Sequence, residues 1–152
     1  MSSRVNLVLS KKVAEYASPG TPGMLLTIDS EGYPHTAFTW IVATSLVQLR
    51  FGADQGSTTL ANIERSSLAS VQIIIDEGQP FLIKGRVTTL SPRIKSAPFE
   101  MALMEMEIIE VRDQSWIGVS VRALDYEWAP KERDKMIEVE QAVYAELREW
   151  GG

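Results

Sequence analysis

The chain of 152 residues contains no cysteine. That excludes a disulfide framework, a thiolate zinc site and a cysteine nucleophile, and it fits a reducing, cytoplasmic setting, which is the expected location. His35 is the only histidine, so a histidine-based triad or metal cluster has no second imidazole to draw on. The acidic residues lack metal-loop spacing, and no metal site is expected. Neither a G-x-S-x-G elbow nor a Walker loop is present. No apolar stretch approaches the ~20 residues of a membrane span. The run within MSSRVNLVLSKK is too short for a signal-peptide core and meets Lys11 and Lys12 at once. Cations are outnumbered, 15 Lys and Arg against 20 Asp and Glu, for a formal charge of −5. A surface that tracks nucleic-acid phosphates is therefore not expected, and neither is a membrane partner.

What is present reads as an ordinary globular chain, 45% hydrophobic and 23% charged. The length favours one domain, residues 1–152, with a real core. Ser10 to Ala17 reads as a short helix capped by Ser10, ended by SPGTPG. Met24 to Ile28 is a short apolar run and a first strand. Asp29 to Gly32 makes a hairpin turn. His35 to Ala43 and Val47 to Ala53 are rich in residues that suit a pleated, half-buried surface. Asp54, Gln55 and Gly56 break the second of these, and Ser57 is placed to cap a helix running to Arg65.

Further on, Ala69 to Ile75 and Phe81 to Leu90 read as strands, with Gly85 as a bulge or barrel corner. Phe99 to Val111 is ambiguous. Its Met and Glu content suits a helix, whereas alternation puts Ala102, Met104, Met106 and Ile108 on one strand face and Glu105 and Glu107 on the other. Trp116 to Val121 is read as a last strand. Pro130 to Trp150 is an amphipathic helix carrying Met136, Val139, Val143, Leu147 and Trp150 on one face. The fold class is mainly β (α+β): a small antiparallel barrel with peripheral helices. Its expected core is Leu26, Ile28, Phe38, Trp40, Val42, Phe51, Ile63, Val71, Ile73, Ile75, Leu82, Val87 and Ile108.

The strand-to-helix elbow Gly56 to Thr59 is the best site candidate, because hydroxyls, free backbone N–H groups and a helix dipole converge there and together can hold an anion. Ser57 is equally read as a plain helix cap. His35 is read as a strand residue beside a turn, with the lining of a pocket as its functional alternative.

Several short motifs in order resemble the FMN-binding split barrels of the pyridoxamine 5′-phosphate oxidase-like superfamily. They are Asp29, Gly32 and Pro34 in a D-x-x-G-x-P turn, Leu49 and Phe51 in an L-x-F strand, Gly56, Ser57, Asn62 and Ile63 in the elbow, and GRVTTLS from Gly85 to Ser91. The resemblance spans roughly Met24 to Val111. It implies a six- or seven-stranded split barrel and resolves Phe99 to Val111 as a strand from about Leu103. It also implies FMN as cofactor, with Ser57, Thr58 and Thr59 facing the phosphate. Phe38, Thr39 and Trp40 would line the ring, with Phe51, Gly52 and Ala53 on the next strand and Gln79 and Pro80 beside the flavin.

The chain departs from the family pattern where the oxidases carry phosphate-binding cations. Thr58 and Thr59 stand in place of Arg-Lys, and Ala37 and Val42 replace a strand-borne Arg and Lys. Arg50, Lys84 and Arg86 are the candidate substitutes. The resemblance thus implies a flavin-dependent oxidoreductase of unknown substrate that is not a true pyridoxamine phosphate oxidase, with no catalytic residue assigned. A cofactor-free dimeric split barrel that binds a small molecule is the alternative. Family members are usually homodimers with the ligand at the subunit interface, and surplus apolar side chains (Trp40, Met104, Met106, Trp116, Trp128) agree with an interface. A homodimer burying more than about 2,000 Å² is expected.

Overall fold

The computed structural model describes residues 4–152. The elements run β1 (Arg4–Asn6), α1 (Lys11–Ala17), β2 (Thr21–Ile28), β3 (Pro34–Ser45), β4 (Gln48–Asp54), α2 (Thr58–Ser66), β5 (Leu68–Ile75), β6 (Gln79–Ser91), β7 (Met101–Asp113) and α3 (Arg133–Glu149). All strand pairs are antiparallel. The order β1-β7-β4-β3-β2-β5-β6, with β6 also pairing β7, closes six strands into a barrel and leaves β1 appended to β7. Closure removes the open strand edges that invite aggregation.

β7 is the longest shared seam, and its sequence explains the earlier ambiguity. Ala102, Met104, Met106 and Ile108 are buried inside the barrel, while Glu107 faces solvent. Met101 and Leu103 point the other way yet are buried too, because α3 covers that face. With both faces covered, alternation is masked at the start of the strand. Gly85 sits at a register shift where β6 crosses β7, and a Cβ there would lie 2.3 Å from the Glu107 carbonyl oxygen. Two cores result: one inside the barrel, and a second where Trp40, Val42 and Leu103 meet Val143, Tyr144 and Leu147 of α3.

Three expectations need correction. Trp116 to Val121 is not a strand. Gly118 takes φ +76 in a turn closed by Val119 N–H donating to the Trp116 carbonyl. The segment then ties itself to the turn after β5, with Val121 N–H on the Gly78 carbonyl and the Ser120 hydroxyl on the Glu77 carbonyl. The seventh strand is instead β1. Second, Ile28 and Phe38 are exposed and Leu26 and Leu82 half-buried rather than core. Leu25 and Thr27 take the inward positions of β2, so the outer face carries Leu26 and Ile28, and a one-residue change of parity moves the whole set. The other nine expected core residues are buried. Third, α3 begins at Arg133, because Pro130 lies in a preceding turn where Glu132 N–H donates to the Ala129 carbonyl.

The remaining helix expectations hold. Ser10 Oγ accepts from Val13 N–H and caps α1, and Ser57 caps α2 in the same way. Among the described residues no helix is long and apolar enough to cross a membrane.

Candidate functional site

The elbow forms where β4 ends. Gly56 takes φ +73, a conformation glycine adopts without a Cβ penalty, and turns the chain into α2. Ser57 Oγ accepts from Leu60 N–H at 3.1 Å. Thr59, Leu60, Asn62 and Ile63 then anchor the helix on the barrel, with Asn62 Nδ2 donating to the buried Thr27 Oγ1 at 3.0 Å. The cap uses the hydroxyl as an acceptor and leaves its O–H as a donor.

Behind the elbow lies a notch of about 40 Å³ lined by Thr39, Gly52, Ala53, Ser57 and Thr59. That is room for about one water, whose share of the liquid is ~30 Å³. Phe38, Asp54 and Met101 line this notch and also the larger cleft beside it. The cleft has a volume of about 360 Å³ and is walled by Trp40, Phe99, Tyr126 and Trp128. The aromatic walls brace one another. Trp40 Nε1 donates to the Tyr126 hydroxyl at 2.6 Å, and the Tyr126 and Trp128 rings meet edge to face at 5.3 Å. Phe38, 61% exposed, stands at the mouth.

Among the described residues no lysine or arginine lines the notch or the cleft, whereas Asp54 lines both. A phosphate brought here would meet a negative charge and no cation, and charge-assisted hydrogen bonds, about twice as strong as neutral ones, would be missing. The residues present fit a planar ring; they do not fit the phosphate of FMN.

Of the residues expected at a flavin site, Phe38, Thr39, Trp40, Gly52, Ala53, Ser57 and Thr59 come together. Thr58 is exposed on the first turn of α2. Phe51 is wholly buried inside the barrel. Gln79 starts β6, where it accepts from Lys12 Nζ at 2.7 Å, and lines neither space. Arg50 is committed elsewhere. Its Nε pairs with Glu105 at 3.0 Å, and its Nη1 donates to the carbonyls of Leu147 (3.1 Å) and Trp150 (2.8 Å). It thus caps the C-terminus of α3, where free carbonyls and the helix dipole favour a cation. Lys84 pairs with Glu110 at 3.2 Å. Sequence reasoning missed Phe99, Met101, Tyr126 and Trp128 as cleft walls; the aromatic pair around Glu127 was the one local signal for the last two.

No protein-family model and no curated protein matches the chain in sequence. Solved structures share its fold. An F420 reductase superposes with a TM-score of 0.56 at 14% identity, covering 67% of this chain and 96% of that one. A candidate pyridoxamine 5′-phosphate oxidase from Lactobacillus delbrueckii gives 0.58 at 14% identity, over 73% and 98%. The HupZ protein of Group A Streptococcus gives 0.51 at 12%, over 59% and 82%. At these identities the likeness is one of fold: the split barrel of pyridoxamine 5′-phosphate oxidase-like proteins.

Proposed function

We propose that this chain, a split barrel of the pyridoxamine 5′-phosphate oxidase-like kind, binds a flavin-type ring in the aromatic cleft and holds it by the ring rather than by a phosphate. The cleft itself carries the reading: about 360 Å³, within the size range of small-molecule pockets, walled by Trp40, Phe99, Tyr126 and Trp128 beside the elbow. Fold neighbours that are an F420 reductase and a candidate pyridoxamine phosphate oxidase support a ligand of this class. Any oxidoreductase activity would come from the flavin, with the protein binding and orienting it. Phe38 would stack on the ring, and Trp40 and Tyr126 would fix the wall behind it.

The cation-free elbow favours a second reading, a split barrel without cofactor that binds another planar molecule in the same cleft. Both readings include a homodimer. The outer face of β3 and β2 runs from Phe38, through Met24 paired opposite it, to Leu26 and Ile28, and on to a trough of about 590 Å³ shared with Leu68, Leu82 and Ile109. A second copy seated there would cover this apolar face and close the open side of the cleft at Phe38. Light scattering on the eluting protein should give twice 16.9 kDa; a monomer mass would leave the cleft without its second wall.

Riboflavin titration, followed by flavin fluorescence, tests the ring site. The wild type should quench saturably. Phe38→Ala removes an exposed ring without touching either core, and should weaken binding about tenfold. Absence of quenching by the wild type would leave the cofactor-free reading.

A further inference from the structure

The walls of the ring cleft favour one sign of charge in whatever fills it. Five aromatic side chains line it, Phe38, Trp40, Phe99, Tyr126 and Trp128, and Asp54 is the one charged residue among the walls. Trp40, 7% exposed, is the hub of the cluster. Its ring centroid lies 6.1 Å from that of Phe99 and 6.4 Å from that of Trp128. Phe38 and Phe99, at 61% and 41% exposure, leave ring surface open to a ligand.

Asp54 ends β4 beside this cluster. Among the described residues its carboxylate lies in no salt bridge and accepts no hydrogen bond. A neutral ring in the cleft would leave that charge to solvent alone. The faces of aromatic rings carry negative potential and attract cations, most strongly at Trp. The rings and the carboxylate therefore select for the same charge. Asp54 is exposed, so its own attraction is screened and small; the ring faces supply the remainder. A lysine or arginine among the walls would repel a cation, and among the described residues none is there.

We propose that the preferred ligand of the ring cleft is a fused-ring heteroaromatic cation, stacked on Phe38 and Trp40 with its positive charge towards Asp54. The inference rests on the reading of the cleft as a ring site and adds the sign of the ring's charge. A volume of about 360 Å³ takes a tricyclic ring of flavin size.

Calorimetric titration of the full chain with N-methylacridinium, and with acridine at a mildly alkaline pH that keeps it uncharged, tests the assignment. The two rings nearly match in size and differ in charge. The cation should bind at one saturable site, about tenfold more tightly than acridine. Asp54→Asn breaks no side-chain bond among the described residues; it should weaken the cation several-fold and leave acridine unchanged. Glu31→Gln, which alters an exposed carboxylate on the β2–β3 turn, should change neither affinity. Equal binding of cation and acridine overturns the proposal, and so does an Asp54→Asn variant that binds the cation like wild type. Equal losses with Glu31→Gln and Asp54→Asn also overturn it, because they would indicate attraction to the overall acidic surface. Riboflavin on the same preparation separates the two failures. Binding of riboflavin without binding of the cation overturns the charge preference and leaves the ring site standing. Binding of none of the three ligands overturns the ring site itself, and the inference with it.

Discussion

Replacing Arg50 by methionine should release the C-terminal helix from the barrel before the barrel itself fails. The guanidinium holds three partners at once: the Glu105 carboxylate at 3.0 Å and the last carbonyls of α3, those of Leu147 at 3.1 Å and Trp150 at 2.8 Å. It also sits 5.8 Å over the Trp150 ring. Its side chain is 14% exposed and that of Glu105 21%, so solvent compensates only in part. Hydrogen bonds to a charged group contribute about 1.5–3 kcal/mol net, and removing one partner of a largely buried pair leaves the other charge stranded. Methionine keeps most of the aliphatic stem, so the loss is chiefly polar, about 2–4 kcal/mol in all. For a chain of this length that corresponds to a fall in Tm of roughly 5–15 °C. Arg50→Lys should recover part of this, since an ammonium restores the charge without the fork that reaches two carbonyls and a carboxylate. Amide exchange gives the sharper readout: α3 should lose protection while α2 and the barrel strands keep theirs. A loss below about 0.5 kcal/mol, or exchange that rises equally everywhere, would refute the reasoning.

Gly85→Ala should lower stability by about 1–3 kcal/mol in a urea melt, because its Cβ would strike the Glu107 carbonyl at 2.3 Å and Met106 Cγ at 2.4 Å; an unchanged midpoint would mean the crossing of β6 and β7 is looser than described. Glu146 joins α3 to the loop before β7, accepting from Lys95 N–H at 2.7 Å and from Ser96 N–H and Oγ, both at 2.8 Å. Burial alone would raise its pKa, but those donors outweigh it and hold the carboxyl below its usual 4.5. A depressed folded-state pKa stabilises above the unfolded value and is lost as pH falls through the folded one. The Tm gap between wild type and Glu146→Gln should thus be about 2–4 °C at neutral pH and close as the pH drops below the usual carboxylate range; a gap that persists in acid would contradict the assignment. Thr58→Arg places a cation on the exposed first turn of α2 and should tighten FMN several-fold while leaving riboflavin unchanged.

The parts of the fold that were legible in the sequence rest on local chemistry. Asp29 Oδ1 accepts from the backbone of Glu31 and Tyr33, which makes the turn, and Ser10 and Ser57 cap their helices in place. The face of β2 was not legible, because MLLTI is apolar on both sides and one inward position belongs to Gly23, whose missing Cβ leaves room for Ile41 Cδ1 and which offers no hydrophobic signal. Trp116 to Val121 has strand composition, but a glycine at positive φ and bonds to Glu77 and Gly78 draw it out of the ladder. Of the site, the elbow was readable because Gly-Ser after a strand dictates its own backbone. The role of Arg50 was not, since its partners lie 97 and 100 residues away on α3. The cleft walls at Phe99, Tyr126 and Trp128 belong to irregular segments with no periodicity to betray their direction.

The central claim, that this split barrel holds a ring and not a phosphate, is tested most directly by measuring the Kd of riboflavin and of FMN on the same wild-type preparation. With Asp54 at the elbow and no cation on the notch or the cleft among the described residues, the two values should agree within about threefold. FMN binding more than about tenfold tighter than riboflavin would show that the elbow grips the phosphate and would contradict the account.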